Sequence, residues 1–288
     1  VKPRPFVYDA PTSLDEALAI LASDPDDSKV LAGGQSLIPM MNFRLASPAR
    51  LVDINRVPGL SGIETVGDEV VIATRTRHIE VQNNGLGGPL GSLLRKAAGY
   101  VGHLPIRTRG TFGGSIAHCD AASEWCLVAS LLDAKMTAAS QSRGERTIAA
   151  ADFFQSIFTT ALEPDEILVR VALPALDDTW HTGIAEFARR AGDFGIITTT
   201  VALKIIDDVV SEARVSIGGV GEVPFRSAAA EQCLTGQPMT DGLLVSAAEA
   251  AADEVDPPSD THGDAAYRRD LVRALLPRAL GRATTVGA

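Results

Sequence analysis

Lys29-Val30-Leu31-Ala32-Gly33-Gly34-Gln35-Ser36-Leu37 runs from a short apolar stretch straight into a glycine pair followed by an amide and a hydroxyl. A second stretch, Arg107-Thr108-Arg109-Gly110-Thr111-Phe112-Gly113-Gly114-Ser115, carries the same pair between hydroxyl residues. Glycine adopts the positive φ that aims neighbouring amides at one anion, and it has no side chain to shield them. The two stretches therefore read as loops that cradle a diphosphate, with Ser36, Thr111 and Ser115 adding hydroxyl donors. The second is too glycine-dense for regular structure, and Gly114 is expected at positive φ, so that valine there would block the phosphate approach. Asp120 and Glu124, just downstream, suit sugar hydroxyls, with charge-assisted hydrogen bonds expected from the Glu124 carboxylate.

Competing chemistries fit less well. A dinucleotide fingerprint needs G-x-G-x-x-G between a strand and a helix. Gly218-Gly219-Val220-Gly221 misses it because Pro224 follows and no helical period does. His78, His103 and His118 lack the spacing of a helical zinc site and read as surface or satisfied core histidines. Ser36 and Ser115 lack a nucleophile-elbow context. The three cysteines, Cys119, Cys126 and Cys233, are too few for an iron–sulfur ligand set and read as small buried hydrophobes.

The chain of 288 residues, 45% hydrophobic, is long enough for two domains. Its net charge of −10, without any Lys/Arg block, argues against nucleic-acid binding. No apolar run has the length of a membrane span, and no apolar segment follows the basic residues at the start, so a soluble, cytoplasmic protein is expected. Sparse, odd cysteines suit a reducing compartment.

Working outward, Ser13 with Asp15 and Glu16 opens a helix that presents Leu14, Leu18 and Leu21 on one face. Lys29–Ala32, Leu51–Ile54, Glu69–Ala73 and Ile167–Pro174 read as strands, Gly85–Gly91 as a loop, and Leu93–Val101 and Leu127–Leu132 as helices. Pro174–Thr182 is the best linker. Thr198–Ile206 and Val209–Ile217 pair around an Asp207-Asp208 turn. Ala228–Leu234, Leu243–Asp253 and Ala265–Leu280 read as helices, and the tail Arg282–Ala288 as frayed. The expected fold is a mixed α+β first domain and a smaller α/β second one, with Trp125 and Trp180 packed in a core or interface.

Ala32-Gly33-Gly34-Gln35-Ser36-Leu37-Ile38-Pro39, Leu51-Val52-Asp53-Ile54 and Ile106 to Ser115 together resemble the FAD-binding medium subunit of the carbon monoxide dehydrogenase and xanthine dehydrogenase family. Ala117 to Glu124, Ala151-Asp152-Phe153-Phe154, Asp165-Glu166-Ile167-Leu168 and Arg189 to Phe194 continue the resemblance in order along nearly the whole chain.

The resemblance implies an FAD-binding domain of the vanillyl-alcohol-oxidase type (PCMH-like) over residues 1–176, with subdomains of about 1–56 and 57–176. A C-terminal domain over 177–288, with a three-stranded sheet and helices, would follow. It implies that Leu31, Ala32, Gly33, Gly34, Gln35, Ser36 and Leu37, with Thr111, Gly113, Gly114, Ser115 and Ala117, surround the FAD diphosphate. Asp120 and Glu124 would hold hydroxyls, Val101 and Leu168 would touch the flavin, and Asp193 and Phe194 would lie beside it. The family often has aspartate at 124 and tyrosine at 194, and a lysine near Ala188 that is missing here. No residue of this chain is expected to be catalytic in its own right or to bind a metal. In such assemblies a large subunit holds a molybdenum cofactor and a small one two [2Fe–2S] clusters, and a dimer of heterotrimers is expected. The substrate class stays open among N-heteroaromatics (favoured), carbon monoxide and aldehydes, and the acceptor is open too. A stand-alone FAD-dependent oxidoreductase is the alternative.

Overall fold

The computed structural model describes residues 2–284. Strand β1 (Val7–Asp9), helix α1 (Leu14–Ser23), strand β2 (Ser28–Leu31), helix α2 (Leu37–Asn42) and strand β3 (Arg50–Asp53) make a small parallel sheet of order β1-β3-β2. Helix α1 forms because Ser13 accepts from the Glu16 amide at 3.2 Å and Ala17, Leu18 and Leu21 share its buried face. That face packs on Val52 and Ile54, and also on Ala139, Ile167 and Val169 of the next sheet.

The second unit begins with β4 (Ile63–Val66) and β5 (Glu69–Ala73). Five helices follow: α3 (His78–Gln82), α4 (Gly88–Tyr100), α5 (Leu104–Arg107), α6 (Phe112–His118) and α7 (Glu124–Leu131). Then come β6 (Lys135–Ser140), β7 (Gly144–Ala149), α8 (Ala150–Phe153), the small hairpin of β8 (Phe154–Ser156) and β9 (Thr159–Thr160), and β10 (Ile167–Pro174). Its sheet is antiparallel, ordered β4-β5-β10-β6-β7.

The third unit holds β11 (Trp180–Phe187), β12 (Ile197–Ile206), β13 (Val209–Gly218) and β14 (Phe225–Arg226), followed by α9 (Ala228–Leu234), α10 (Asp241–Glu254) and α11 (Ala265–Thr284). Its three long strands are joined at the edge by the two-residue β14, making the sheet four-stranded where three strands were expected. Asp207 and Asp208, at φ 50° and 63°, make the tight turn read from the sequence, because paired positive φ matches the twist of an antiparallel hairpin. No helix among the described residues is long and apolar enough to cross a membrane.

Several expectations need correcting. Gly88–Gly91 belongs to helix α4 rather than to a loop, with Pro89 in its first turn. Thr111–Ser115 is the capped start of helix α6 rather than irregular structure. The expected linker ends before Trp180, where β11 begins. Arg282 to Thr284 continue α11, while the remainder of the tail lies outside the described residues.

Candidate functional site: a cleft between two glycine turns

The first glycine stretch leaves the end of β2 and turns into α2. Gly34 makes that turn at φ +70°, where an L side chain is strained, and a Cβ would also press on Leu31 and Ile38 at 3.1 Å. The turn closes through Ile38 N–H to the Gly34 carbonyl at 3.1 Å, and the leading amides of a helix have no intrahelical partner. Asn55 steadies the turn by donating to the Ala32 carbonyl at 2.7 Å. Asn55 Oδ1 in turn accepts from Arg77 at 2.6 Å.

The second stretch behaves differently. Phe112 N–H donates to the Thr76 carbonyl at 2.8 Å and Gly113 N–H to the Thr74 carbonyl at 2.9 Å. Gly114 N–H donates to the Thr111 hydroxyl at 3.1 Å. The amides of this stretch are therefore engaged in fixing α6 to the end of β5, and are not a second row of open donors. What remains toward the cleft is the Thr111 hydroxyl hydrogen and the Ser115 hydroxyl, which sits 2.9 Å from that of Ser123.

The glycines here answer to packing. A Cβ on Gly113 would lie 2.6 Å from Thr74 Cα, and one on Gly114 2.5 Å from the Thr111 hydroxyl oxygen. Gly114 is not at positive φ, so the expected backbone strain falls on Gly34 instead. A Cβ on Gly33 would come 2.6 Å from the Arg109 carbonyl, because the two stretches pack directly against each other.

Asp120 and Glu124 bring carboxyl groups to the same cleft. Asp120 accepts from the Ala122 amide at 2.9 Å in a local turn. Glu124, the first residue of α7, is buried, and desolvation with Glu186 opposite pushes its pKa up to about 8. Near neutral pH this carboxyl keeps its proton for much of the time, so it can both donate and accept. Glu186 itself is raised to about 7 by burial, against the opposing hydrogen bond from Thr198. Val101 and Leu168 are buried apolar walls, and Phe194, on the β11–β12 connection, stands 65% exposed at the rim.

All of Leu31 to Leu37, Val101, Thr111, Gly113, Gly114, Ser115, Ala117, Asp120, Glu124, Leu168, Asp193 and Phe194 line one cleft of about 460 Å³. Sequence reasoning missed Thr74, His78, Ile106, Gly110 and Phe158, which share the wall. No local pattern marks Thr74 or Phe158. Of the two settings expected for His78, surface or satisfied core, the structure has the buried one, with Nδ1 accepting a hydrogen bond from Trp125. A run of leading amides, hydroxyls, a carboxyl that can carry a proton and apolar walls in one cleft is a donor set that fits an FAD.

Residues 4–176 match the family described as FAD binding domain in molybdopterin dehydrogenase, and residues 184–283 match the CO dehydrogenase flavoprotein C-terminal domain. The nicotine 6-hydroxylase medium subunit of Paenarthrobacter nicotinovorans is 39% identical over 95% of each chain. A solved structure of carbon monoxide dehydrogenase from Hydrogenophaga pseudoflava superposes with a TM-score of 0.94 at 34% identity, over 98% of each chain. Quinoline 2-oxidoreductase from Pseudomonas putida 86 does so with a TM-score of 0.91 at 34% identity, also over 98% of each chain. The chain thus belongs to the family of FAD-binding medium subunits of molybdenum-containing dehydrogenases and hydroxylases.

Proposed function

We propose that this chain is the electron-transfer subunit of a heterotrimeric molybdenum hydroxylase. It would take electrons from two [2Fe–2S] clusters on a small subunit and deliver them to an external acceptor. A large subunit with the molybdenum cofactor would hydroxylate the substrate, in a dimer of heterotrimers in the cytoplasm. The division into an FAD-binding domain at 1–176 and a C-terminal domain at 177–288 is part of the same reading. The observation that carries it is the single cleft in which open amides, hydroxyls, the Glu124 carboxyl and apolar walls converge.

FAD bound there supplies the exchange between one-electron and two-electron carriers. The chain's residues bind and orient it. The left-handed turn at Gly34 aims the amides of Gly34, Gln35 and Ser36 at the diphosphate. The Thr111 hydroxyl, already accepting from Gly114, keeps its own hydrogen for an anion oxygen. Glu124 and Asp120 meet sugar hydroxyls; Val101 and Leu168 exclude water from the ring system; Phe194 offers an aromatic edge without a phenol. No side chain here is assigned as acid or base.

The reading takes an N-heteroaromatic as the substrate class, supported by the 39% identity to the relative named for nicotine. The test is to purify the native complex and measure FAD, iron and molybdenum. Nicotine- and purine-type substrates are then added anaerobically while flavin absorbance is followed. Bleaching that requires the partner subunits supports the reading. Substrate turnover by this chain alone would instead establish a self-sufficient flavoenzyme.

A further inference from the structure

Arg77 stands between the end of β5 and the start of α3, and it holds both glycine stretches. Its backbone is laddered on the second: Phe112 N–H donates to the Thr76 carbonyl at 2.8 Å and His78 N–H to the Gly110 carbonyl at 3.1 Å. Its guanidinium then forks. One arm donates to the Arg109 carbonyl, the other to Asn55 Oδ1 at 2.6 Å. The Arg109 carbonyl is where Gly33 packs, since a Cβ on Gly33 would lie 2.6 Å from it. Asn55, in the turn after β3, donates to the Ala32 carbonyl at 2.7 Å and to Asp53 at 2.6 Å.

One planar side chain thus links the carbonyl before Gly110 to the group that holds the carbonyl before Gly33. In a trans peptide the carbonyl and the N–H point opposite ways. Anchoring the Ala32 carbonyl therefore fixes the Gly33 N–H on the side away from Asn55, and Gly33 lines the cleft. Both acceptors of the fork are neutral oxygens, and no carboxylate among the described residues bonds to the guanidinium. Burial, with Arg75 and Arg109 nearby, disfavours its charge, against the pull of Glu80 and Asp53. Positive charge is crowded behind the two turns, a setting that an anion in front of them relieves.

We infer that Arg77 is a positioning residue for the diphosphate: from behind the cleft wall, its two hydrogen bonds set the spacing of the glycine turns. The inference rests on the FAD reading of the same cleft. Lysine there would keep the charge but lack the planar fork, so charge alone does not replace it.

The test titrates FAD, ADP and adenosine into the apo form of the full chain. Arg77→Lys is expected to weaken FAD and ADP roughly 10-fold, the scale of one hydrogen bond to a charged group, and to leave adenosine unchanged. Asn55→Ala should do the same. The double variant should be no weaker than the more affected single one, because each substitution opens the same link. In the unaltered apo chain, the Arg77 guanidinium should show the resolved ¹⁵Nη resonances of a locked side chain. They should shift with ADP and not with adenosine, which reads the link even where a variant does not fold. Unchanged FAD affinity in folded Arg77→Lys, equal weakening of ADP and adenosine, additive losses in the double variant, or Nη signals that are averaged or indifferent to ADP would overturn the assignment. Failure of the unaltered chain to bind FAD at all would instead remove the functional reading beneath it.

Discussion

Gly34 and Gly113 face the same cleft for different physical reasons, and substitutions separate them. Alanine at 34 has to adopt φ near +70°, at about 1–2 kcal/mol, in a turn that bears on ligand more than on core. Alanine at 113 meets Thr74 Cα at 2.6 Å and levers α6 away from β5, an overpacking cost of about 1–3 kcal/mol. Both variants should lose flavin, but the urea midpoint of the apo chain should fall further for Gly113→Ala. Equal midpoints would contradict this division of roles. A Gly-Gly pair in sequence signals a close approach without saying to what, which is why Gly114 was expected to face phosphate when its neighbour is the Thr111 hydroxyl. Glu124 makes a second prediction at this scale. Its folded pKa, about 8, exceeds the ordinary 4.5, so the folded chain holds a proton that the unfolded chain releases. Stability is thus fully present below pH 4.5 and declines as pH rises toward 8, with Glu186 adding to the decline up to about 7. Glu124→Gln should flatten that decline, so its urea midpoint exceeds the parent's at pH 8 but not near pH 4.5. Parallel midpoint–pH curves would place Glu124 in a wetter setting.

Helix α6 shows how an element can be hidden in its own sequence. Two glycines in the first turn cost about 1 kcal/mol each relative to alanine, so propensity argues for a loop. Three hydrogen bonds outweigh it: the Thr111 cap on Gly114, and the tethers from Phe112 and Gly113 to the carbonyls of Thr76 and Thr74. The tethers come from a distant strand end and cannot be read locally. Strands β6 and β7 escaped for a related reason: β6 is buried at nearly every position and β7 exposed at nearly every one, so neither alternates. By contrast α9 and the β12–β13 turn carry their determinants within a few residues, and both were legible. Thr111→Val keeps the shape and removes the cap. It should cost about 1 kcal/mol of stability and speed hydrogen exchange at the Gly114 amide, while Thr111→Ser restores both. Unaltered protection at Gly114 in the valine variant would mean that the tethers suffice.

At the scale of the molecule, the C-terminal sheet is built into the first core. Trp180, Ile184 and Ala202 pack in the same apolar cluster as Leu90, Leu94 and Val128 of α4 and α7. Polar links cross the same seam. Thr182 donates to the Pro89 carbonyl at 3.0 Å, and Arg226 donates to the Ser130 carbonyl at 2.9 Å and to Asp133 at 3.1 Å. The Ser130 carbonyl lies in the last turn of α7, where it also accepts the Asp133 amide at 3.4 Å, so an arginine of the third sheet reinforces the end of a helix of the second unit. Phe194 and Asp193 reach the cleft from the third sheet, so the seam also completes the site wall. It follows that the chain should unfold in one cooperative urea transition, with flavin fluorescence and far-UV dichroism coincident. Arg226→Met should lower stability by about 2 kcal/mol, because it removes a charged donor shared by the Ser130 and Leu131 carbonyls, Asp133 and Glu231. A fragment ending at 176 would expose the apolar face that Trp180 and Ile184 cover, and should aggregate rather than bind FAD. Two separated transitions, or a well-behaved FAD-binding fragment, would show that the sheets cohere independently and that Arg226 closes a seam the flavin does not need.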